Sequence, residues 1–374
     1  MAAAVRLPGH PEPVAIPDPP WARRYPSPAL RSVYAAAHVA ARPDGTIDWD
    51  ATLGFRDHLW DYGFGVAEAM DTAQRGMGLS WEQARELIER SAARAAERGA
   101  VIACGAGTDQ LAARPYPLDT IIAAYSQQLE LVRSAGAQAI LMASRALAAS
   151  AEKADDYLEV CTRVLDQADQ PVILHWRGDV FDPALRGYWG SQDFGTAADT
   201  VIELIKRTGG KIGGIKLSVL NADQEVALRS RLPPGVRMFT GDDFNYADLI
   251  RGDATGHSDA LLGTFAAIAA PAAAALHALD AGDVAGYDAA MRPTVPLSRL
   301  IFAAPTSSYK VGVAFLAWLN GLQPYFSMLD GMQRQRPTSH LIQVFELAAA
   351  AGALTDPECA AARMTEFLSN ATST

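Results

Sequence analysis

Short apolar segments alternate with longer amphipathic segments along most of the chain. The clearest apolar segment is residues 171–176, in which the run PVIL is followed by a histidine and a tryptophan. Apolar runs of this length indicate strands that are buried on both faces, and the segments between them carry apolar residues at helical spacing. This alternation is typical of a parallel sheet whose faces are covered by helices.

Eight strand–helix units are predicted before residue 270. The predicted strands begin at residues 33, 64, 101, 139, 171, 212, 236 and 259. Ser80 and Gln83 have the spacing of a capping box for the helix that runs to Arg98, and Ser150 is predicted to open the helix after the fourth strand. Eight such units favour an α/β fold with a closed (β/α)8 TIM barrel over an open doubly wound sheet, which would carry a glycine fingerprint after its first strand.

The pattern changes at both ends of the 374-residue chain. Eight of the 22 prolines fall within residues 1–29, and because proline is excluded from helix interiors and central strands, this segment is predicted to be an extended arm or a disordered tail. From Pro271 onward the pattern is purely helical. The predicted segments are therefore a Pro-rich arm over residues 1–29, the barrel over residues 30–270 and a C-terminal helical extension over residues 271–374 that packs on the barrel.

Composition and charge narrow the classes of function. The formal net charge is −10 and no basic stripe is present, which excludes an ordinary nucleic-acid-binding surface. The sequence holds no run of about 20 apolar residues that could span a membrane, and its first ten residues lack the apolar region of a signal peptide. Cys104, Cys161 and Cys359 are far apart, which suits buried thiols in a cytoplasmic protein.

Polar residues follow most of the predicted strands. In a barrel of this kind the active site forms at the carboxyl ends of the strands, so these residues are the candidates for binding and chemistry. The candidates are His38, Glu68, Asp71, Thr72, His175, Arg177, Lys216, Ser218, Asp242, Asp243 and Thr264.

Lys216 lies near the end of the sixth predicted strand. Only five of the 32 basic residues are lysines, so a lysine in an apolar strand stands out. Partial desolvation disfavours the ammonium form, and a free amine can attack a carbonyl carbon to form an imine. We predict that Lys216 is a Schiff-base nucleophile; the alternative is a structural ion pair with Asp242 or Glu68.

His175 ends the PVIL strand, one strand before Lys216. A neutral imidazole transfers protons at physiological pH, which makes His175 the candidate acid–base residue; the alternative is a core histidine bonded to the backbone. Arg177 is either a clamp for a substrate carboxylate or phosphate or an ordinary ion pair at the rim. A divalent-metal site is a further alternative, although no HxH or HExxH spacing supports it. Its ligands would be His38, Glu68, His175 and Asp242.

The order of short motifs resembles the dihydrodipicolinate synthase and N-acetylneuraminate lyase superfamily, from about residue 30 to residue 354. The similar segments are 44–48 (DGTID), 79–85 (LSWEQAR), 171–174 (PVIL), 214–216 (GIK), 240–243 (TGDD) and 309–311 (YKV). The segment GIK matches the strand that carries the Schiff-base lysine of that family. The resemblance thus implies a TIM barrel and a lyase of the class I aldolase kind that acts through Lys216 and uses no cofactor.

The chain departs from the family where proton transfer and carboxylate binding take place. After the fourth strand, where the family has a catalytic tyrosine, residues 144–148 read SRALA, and His175 stands where the family more often has tyrosine or asparagine. The family's Gly-Thr-Thr-Gly-Glu loop is replaced by residues 68–76, EAMDTAQRG, which retain one threonine, Thr72. Dihydrodipicolinate synthesis itself is therefore not expected, and the chain is identified as a divergent branch.

Three functions follow from these residues. The first is a carbon–carbon lyase, aldolase or dehydratase that acts on a small keto acid or keto sugar through an imine on Lys216. The second is a metal-dependent sugar aldolase or isomerase, which a chelator would inactivate. The third is a non-catalytic barrel that binds a small molecule. In each case we expect a small-molecule ligand, no nucleic-acid or membrane partner, and a homo-oligomer of two or four chains.

Overall fold

The computed structural model describes residues 3–371, and within that range it contains ten strands. Strands β1 (Ala3–Val5) and β2 (Val14–Ile16) form an antiparallel hairpin in the Pro-rich arm. The other eight close into a parallel barrel in which each strand lies beside the next in the chain and the last lies beside the first. They are β3 (Val33–Ala36), β4 (Gly65–Glu68), β5 (Ile102–Ala106), β6 (Gln138–Met142), β7 (Val172–Arg177), β8 (Ile212–Ser218), β9 (Arg237–Thr240) and β10 (Asp259–Leu262).

Helices alternate with the barrel strands and continue after them. Those between the strands are α1 (Trp49–Asp61), α2 (Trp81–Arg98), α3 (Leu118–Ser134), α4 (Arg145–Ser150), α5 (Ala154–Leu165), α6 (Phe194–Arg207), α7 (Ala222–Arg229) and α8 (Tyr246–Arg251). After β10 come α9 (Ala269–Asp280), α10 (Val284–Met291), α11 (Thr294–Ile301), α12 (Lys310–Leu319), α13 (Thr338–Ala350) and α14 (Pro357–Ala371). The predicted (β/α)8 fold class with C-terminal helices is confirmed.

Each predicted barrel strand begins within one residue of its observed start. The capping box of α2 is also present, because Ser80 Oγ accepts from Gln83 N while the Gln83 side chain accepts from Ser80 N. The prediction that Ser150 opens a helix is wrong. Ser150 is the last residue of α4, where its hydroxyl donates to the carbonyl oxygen of Ala146 at 2.6 Å, and α5 begins four residues later.

Contacts divide the described chain into two units. The terminal unit consists of the residues up to Val66, Asp71–Gln74 and the residues from Leu262 onward; the central unit consists of Ala67–Met70 and Arg75–Leu261. The boundaries predicted at residues 29 and 270 stay a prediction. Residues 1–2 of the predicted arm and 372–374 of the predicted extension lie outside the described residues.

In the terminal unit the arm is attached to the C-terminal helices. Strand β1 packs on α14 and β2 packs on α13. Trp21 Nε1 donates to the carbonyl oxygen of Gly352 at 2.8 Å, and the Asp280 carboxylate accepts hydrogen bonds from the backbone of Ala29 and Leu30. Among residues 3–371, no helix has both the length and the apolar composition needed to cross a bilayer.

Candidate active site

The side chains of β7 show which residues face into the barrel. Trp176 stacks on Phe194 of α6, with ring centroids 4.9 Å apart and an interplanar angle of 13°. Successive side chains of a strand alternate between its two faces. His175 and Arg177 therefore lie on the face opposite to the helices, which is the interior of the barrel.

Lys216 lies on the same face of the neighbouring strand β8. His175 and Lys216 are register partners, and partners in parallel strands project to the same side. Lys216 is 8% exposed. His175 Nε2 and Ser218 Oγ lie 3.2 Å apart, and Ser218 stands two residues beyond Lys216 on that face. The three side chains thus form one buried polar row across β7 and β8.

Gly241 brings the end of β9 against this row. Its backbone nitrogen donates to the carbonyl oxygen of Leu217 at 2.8 Å. A Cβ atom at position 241 would overlap Ser218 Oγ and would lie 2.9 Å from Lys216 Cε. The position therefore requires glycine, because any other side chain would displace the two polar side chains.

Gly241→Ala is expected to lower the free energy of unfolding by about 1–3 kcal/mol, as overpacking of a filled interior does. The matched control is Gly54→Ala in α1, where an added Cβ meets no atom within 4 Å. That change is expected to raise the free energy of unfolding by about 0.5–1 kcal/mol, because alanine favours a helix interior over glycine. Urea unfolding of both variants checks the pair, and equal effects would contradict the close approach at Gly241.

Asp242 is buried, and its carboxylate accepts hydrogen bonds from the loop that follows β9. Asp242 accepts hydrogen bonds from Phe244 N at 2.9 Å, from Asn245 N at 3.0 Å and from Asn245 Nδ2 at 2.8 Å. These bonds hold the loop that follows Gly241. The predicted site residue Asp242 therefore lies at the end of β9, and its carboxylate stabilises the conformation of the loop that follows.

The buried glutamate Glu225 of α7 supports the same segment and was not predicted from the sequence. Thr240 Oγ1 donates to its carboxylate at 3.0 Å and accepts from Asp242 N at 3.1 Å, while Ser258 Oγ donates to Glu225 at 2.7 Å. Burial raises the pKa of Glu225 to about 8, although the hydrogen bonds from Ser258 and Thr240 act to lower it. Glu225 is therefore largely protonated at neutral pH.

This proton makes the stability of the fold depend on pH. Because the folded state raises the pKa of Glu225 above its unfolded value, its contribution to the free energy of unfolding is present at low pH and is lost as the pH rises from about 4.5 to about 8. The expected loss is on the order of 5 kcal/mol. Glu225→Gln, which stays neutral, should flatten this dependence, whereas the half-exposed Glu203→Gln should not. Urea unfolding across this pH range measures it, and parallel curves for wild type and Glu225→Gln would refute the assignment.

Arg177, the last residue of β7, forms an ion pair with the Asp182 carboxylate. Arg145 Nε donates to the same carboxylate oxygen at 2.6 Å. Asp182 is buried and also accepts from Ala184 N in the loop that follows β7. The guanidinium of Arg177 is thus held at the rim by a carboxylate that it shares with Arg145.

Glu68 is the last residue of β4 and begins the loop over residues 68–76. Its carboxylate accepts from Ala69 N at 2.8 Å, and Ala69 has the unusual positive φ of 51°. Arg75, which sequence reasoning missed, holds the loop in place. It donates to Gly105 O at 2.6 Å and, through two nitrogens, to Asp109 at 3.0 and 2.7 Å.

Hydroxyl groups gather at the end of β6, where residues 144–148 read SRALA and contain no tyrosine. Ser144 Oγ and Thr108 Oγ1 lie 2.5 Å apart, and the Tyr188 hydroxyl accepts from Ser144 N at 3.1 Å. The Tyr125 hydroxyl donates to Met142 O at 2.6 Å. Thr108 follows the glycines that end the third predicted strand, so its position at the end of that strand could have been predicted from the sequence. The two tyrosines could not have been predicted in this way, because they come from other parts of the chain.

The predicted site residues His38, Asp71 and Thr72 belong to the terminal unit. His38 Nε2 lies 2.6 Å from Gln323 Oε1, and Thr72 Oγ1 lies 2.8 Å from the Tyr309 hydroxyl. Asp71 begins a single turn of 3-10 helix that contains Thr72. His38 and Thr72 are thus both bonded to side chains of the C-terminal region.

A family match covers nearly the whole chain. The family described as "Protein of unknown function (DUF993)" matches residues 10–372. The chain belongs to this family. No curated protein matches the sequence of this DUF993 member.

Solved structures of dihydrodipicolinate synthase proteins share the fold of the DUF993 chain. The chloride-inhibited synthase of Acinetobacter baumannii complexed with pyruvate is 16% identical, with a TM-score of 0.66 over 87% of this chain and 100% of its own. YagE, a prophage protein of E. coli in complex with pyruvate, is 14% identical, with a TM-score of 0.65; the match covers 86% of this chain and 99% of YagE. A monomeric dihydrodipicolinate synthase variant is 13% identical, with a TM-score of 0.67; the match covers 87% of this chain and 98% of the variant. The predicted resemblance is confirmed, and at these identities the likeness establishes the fold.

The central unit of the DUF993 chain thus brings together three of the predicted residues, His175, Lys216 and Ser218, and places Gly241 and Asp242 at the end of the next strand. Within residues 3–371, histidine, cysteine and carboxylate side chains form no group of three or more that is arranged to hold a metal ion.

Proposed function

We propose that the chain is a carbon–carbon lyase, an aldolase or a dehydratase that forms an imine between Lys216 and a small keto acid or keto sugar. The observation that carries this proposal is the burial of Lys216 on the interior face of β8, in register with His175 and two residues from Ser218. Burial favours the neutral amine, which is the nucleophilic form.

The chemistry assigned to Lys216 proceeds in balanced steps. Its Nζ attacks the carbonyl carbon and gives a carbinolamine, whose hydroxyl leaves as water once it is protonated. In a dehydratase, a base removes a proton from the α-carbon of the resulting iminium to give the enamine, whose electron pair expels the β-hydroxyl group; the hydroxyl takes up a proton and leaves as water, and hydrolysis of the remaining iminium frees the amine. In a lyase or aldolase, the iminium nitrogen accepts the electron pair of the bond between the α- and β-carbons, while a base takes the proton of the β-hydroxyl, whose carbon becomes the carbonyl of the departing fragment. Protonation of the enamine and addition of water then release the product and the amine.

Two groups near Lys216 suit the proton transfers. An imidazole exchanges protons near neutral pH, and the hydroxyl of Ser218 lies 3.2 Å from His175 Nε2 on the lysine side of the sheet. We assign His175 as the acid–base residue and Ser218 as its hydrogen-bond partner. The remaining proposed substrate-binding residues are His38, Glu68, Asp71, Thr72, Arg177 and Asp242.

The class of substrate is inferred from the chemistry of the imine and from the similar structures, two of which contain pyruvate. Pyruvate is a 2-keto acid, so a carbonyl compound of that kind is the first choice. Arg177 is the side chain assigned to a substrate carboxylate, because a guanidinium binds that group through paired hydrogen bonds.

Borohydride reduction tests the proposal. The protein is incubated with each member of a panel of 2-keto acids and keto sugars, reduced and digested, and the peptides are weighed by mass spectrometry. We expect one compound or a few to add their reduced mass to Lys216 and to no other lysine. Modification elsewhere, or none with any compound, would refute the imine, and activity that a chelator abolishes would favour the metal-dependent alternative.

We further propose that the protein works in the cytoplasm as a homodimer or homotetramer. The three cysteines are free thiols, and two of them are buried, which suits a reducing compartment. Sedimentation velocity of the full chain measures the oligomeric state, and a single species of 39.8 kDa would refute the oligomer.

A further inference from the structure

A cavity of about 310 Å³ lies beside the carboxyl ends of β7 and β8, on the helix side of the barrel wall. Its border is formed by Trp176, Val219, Phe194, Ala197, Gln224 and the loop over residues 178–192. All of these residues belong to the central unit. Trp176 points toward α6, whereas His175 and Lys216 point into the barrel, so the cavity is separate from the proposed reaction site.

The indole of Trp176 offers a hydrogen-bond donor to this cavity. Trp176 is 5% exposed, and its ring is fixed by the stack on Phe194. Among residues 3–371 no acceptor is bonded to its Nε1, and this atom, unlike Nε1 of Trp189, keeps contact with solvent. Because the buried Trp176 borders the cavity, that contact is made through the cavity. The indole N–H is therefore a fixed donor without a protein partner.

Arg186 supplies the positive charge of the cavity. Its Nε donates to Gln192 Oε1 at 3.2 Å, and its two terminal nitrogens form no hydrogen bond or ion pair within the described residues 3–371. Since Gln192 Oε1 is the acceptor in this bond, Gln192 Nε2 is left as a donor. An indole, a guanidinium and a side-chain amide thus present donors to one cavity, which indicates an anionic ligand.

The charges and the walls of the cavity indicate which anion fits. Arg186 and Asp179 are the charged side chains on its border, so the lining has no surplus of positive charge for a doubly charged phosphate group. A carboxylate carries a single charge on two coplanar oxygens, which match the fork of a guanidinium. The rings of Trp176 and Phe194 and the side chain of Leu185 form an apolar wall that suits an aromatic ring.

We infer that this outer cavity is a second ligand site and that it binds a small aromatic carboxylate. The carboxylate contacts Arg186 and the indole N–H of Trp176, and the ring packs against Phe194. The volume is at the lower end of the range for small-molecule sites, which suits a ligand with a single ring. The inference goes beyond the proposed function, because binding here requires neither the imine nor Lys216.

Phenylacetate is the probe that tests the inference, and phenylacetamide and benzylamine are its neutral and cationic counterparts. Isothermal titration calorimetry of the full chain measures their dissociation constants. We expect phenylacetate to bind about 10- to 100-fold more tightly than phenylacetamide, the difference that charge-assisted hydrogen bonds provide, and benzylamine to bind no better than phenylacetamide. Equal affinity for the three compounds, or no binding of phenylacetate at millimolar concentration, would overturn the inference.

Nuclear magnetic resonance locates the bound probe. In protein with ¹⁵N-labelled indoles, the Nε1 resonance of Trp176 is the one that is missing from Trp176→Phe. Phenylacetate is expected to shift this resonance in wild type, because its carboxylate accepts the indole hydrogen. Binding that leaves the Trp176 resonance unmoved would place the probe elsewhere and refute the site.

Two variants and one control separate the contacts. Arg186→Gln should weaken phenylacetate about 10- to 100-fold and leave phenylacetamide unchanged, since only the charge is lost. Trp176→Phe keeps a ring on Phe194 and removes the N–H, and it should weaken phenylacetate about 2- to 10-fold. Arg85→Gln, at an exposed arginine of α2, should bind as wild type. If Trp176→Phe does not fold, the exposed position 186 decides, and wild-type affinity in Arg186→Gln would contradict the inference.

Lys216→Ala distinguishes failure of this inference from failure of the proposed function. The variant is expected to bind phenylacetate with wild-type affinity. If it loses binding, the probe occupies the reaction site and the inference fails, whatever the outcome of borohydride labelling. If no carbonyl compound labels Lys216 while phenylacetate still shifts the Trp176 resonance, the imine is refuted and the second site stands.

Discussion

Lys216→Ala is expected to lose turnover by about 10⁴-fold or more, the order of loss that follows removal of a covalent nucleophile. The reason is chemical, since a methyl group cannot form the imine through which the bond is broken. Lys216→Arg should fail equally, because a guanidinium stays charged at every relevant pH and offers no nucleophilic lone pair. Steady-state kinetics with the compound that labels Lys216 measures both losses.

The control for Lys216 is Lys206→Ala, which removes an exposed lysine near the end of α6 and should leave turnover unchanged. Lys216→Cys allows the amine to be restored, because alkylation with 2-bromoethylamine builds a lysine analogue at that position. Partial recovery of turnover, absent from treated wild type, would separate lost chemistry from lost structure. Wild-type turnover in Lys216→Ala would exclude the imine mechanism.

The barrel strands could be predicted because their burial is visible in the sequence. A parallel strand covered on both faces reads as a continuous apolar run, and each of the eight runs begins within one residue of its strand. The hairpin of β1 and β2 carries no such signal, because its strands are three residues long and lie among prolines. The short helices α4 and α8, of six residues each, were missed because they are too short to show a helical period.

In the candidate site, contacts between neighbouring strands could be predicted from the sequence, whereas contacts between residues far apart along the chain could not. His175 and Lys216 could be placed side by side because consecutive strands of a barrel are neighbours and end at the same face. The partner of His38 could not be found in this way, since Gln323 is 285 residues away along the chain. Glu225 was missed for a related reason: a glutamate in an amphipathic helix normally faces solvent, and only the fold buries it against Thr240 and Ser258.

His175→Asn is expected to lower turnover by a factor on the order of 10² to 10⁴, the usual contribution of a general acid–base residue. Forming the imine requires a proton for the departing carbinolamine hydroxyl, and hydrolysing it requires activation of water. An unperturbed imidazole titrates near ~6.5, so it can perform both tasks at neutral pH, whereas an unperturbed phenol titrates near ~10. A limb of the pH–rate profile near neutrality should therefore disappear in the variant.

The position of Ser218 allows the role of His175 to be tested against a purely structural one. If His175 only supports the core, Ser218→Ala and His175→Asn should both change the free energy of unfolding while the shape of the pH–rate profile stays that of wild type. If His175 transfers the proton, His175→Asn removes the limb, and Ser218→Ala shifts it without removing it, because the 3.2 Å contact between Nε2 and Oγ is lost while the imidazole remains. Metal analysis of both proteins completes the comparison. A stoichiometric divalent ion that is lost with His175 would replace the acid–base role by ligation, and the chelator experiment would then identify the reaction as metal-dependent.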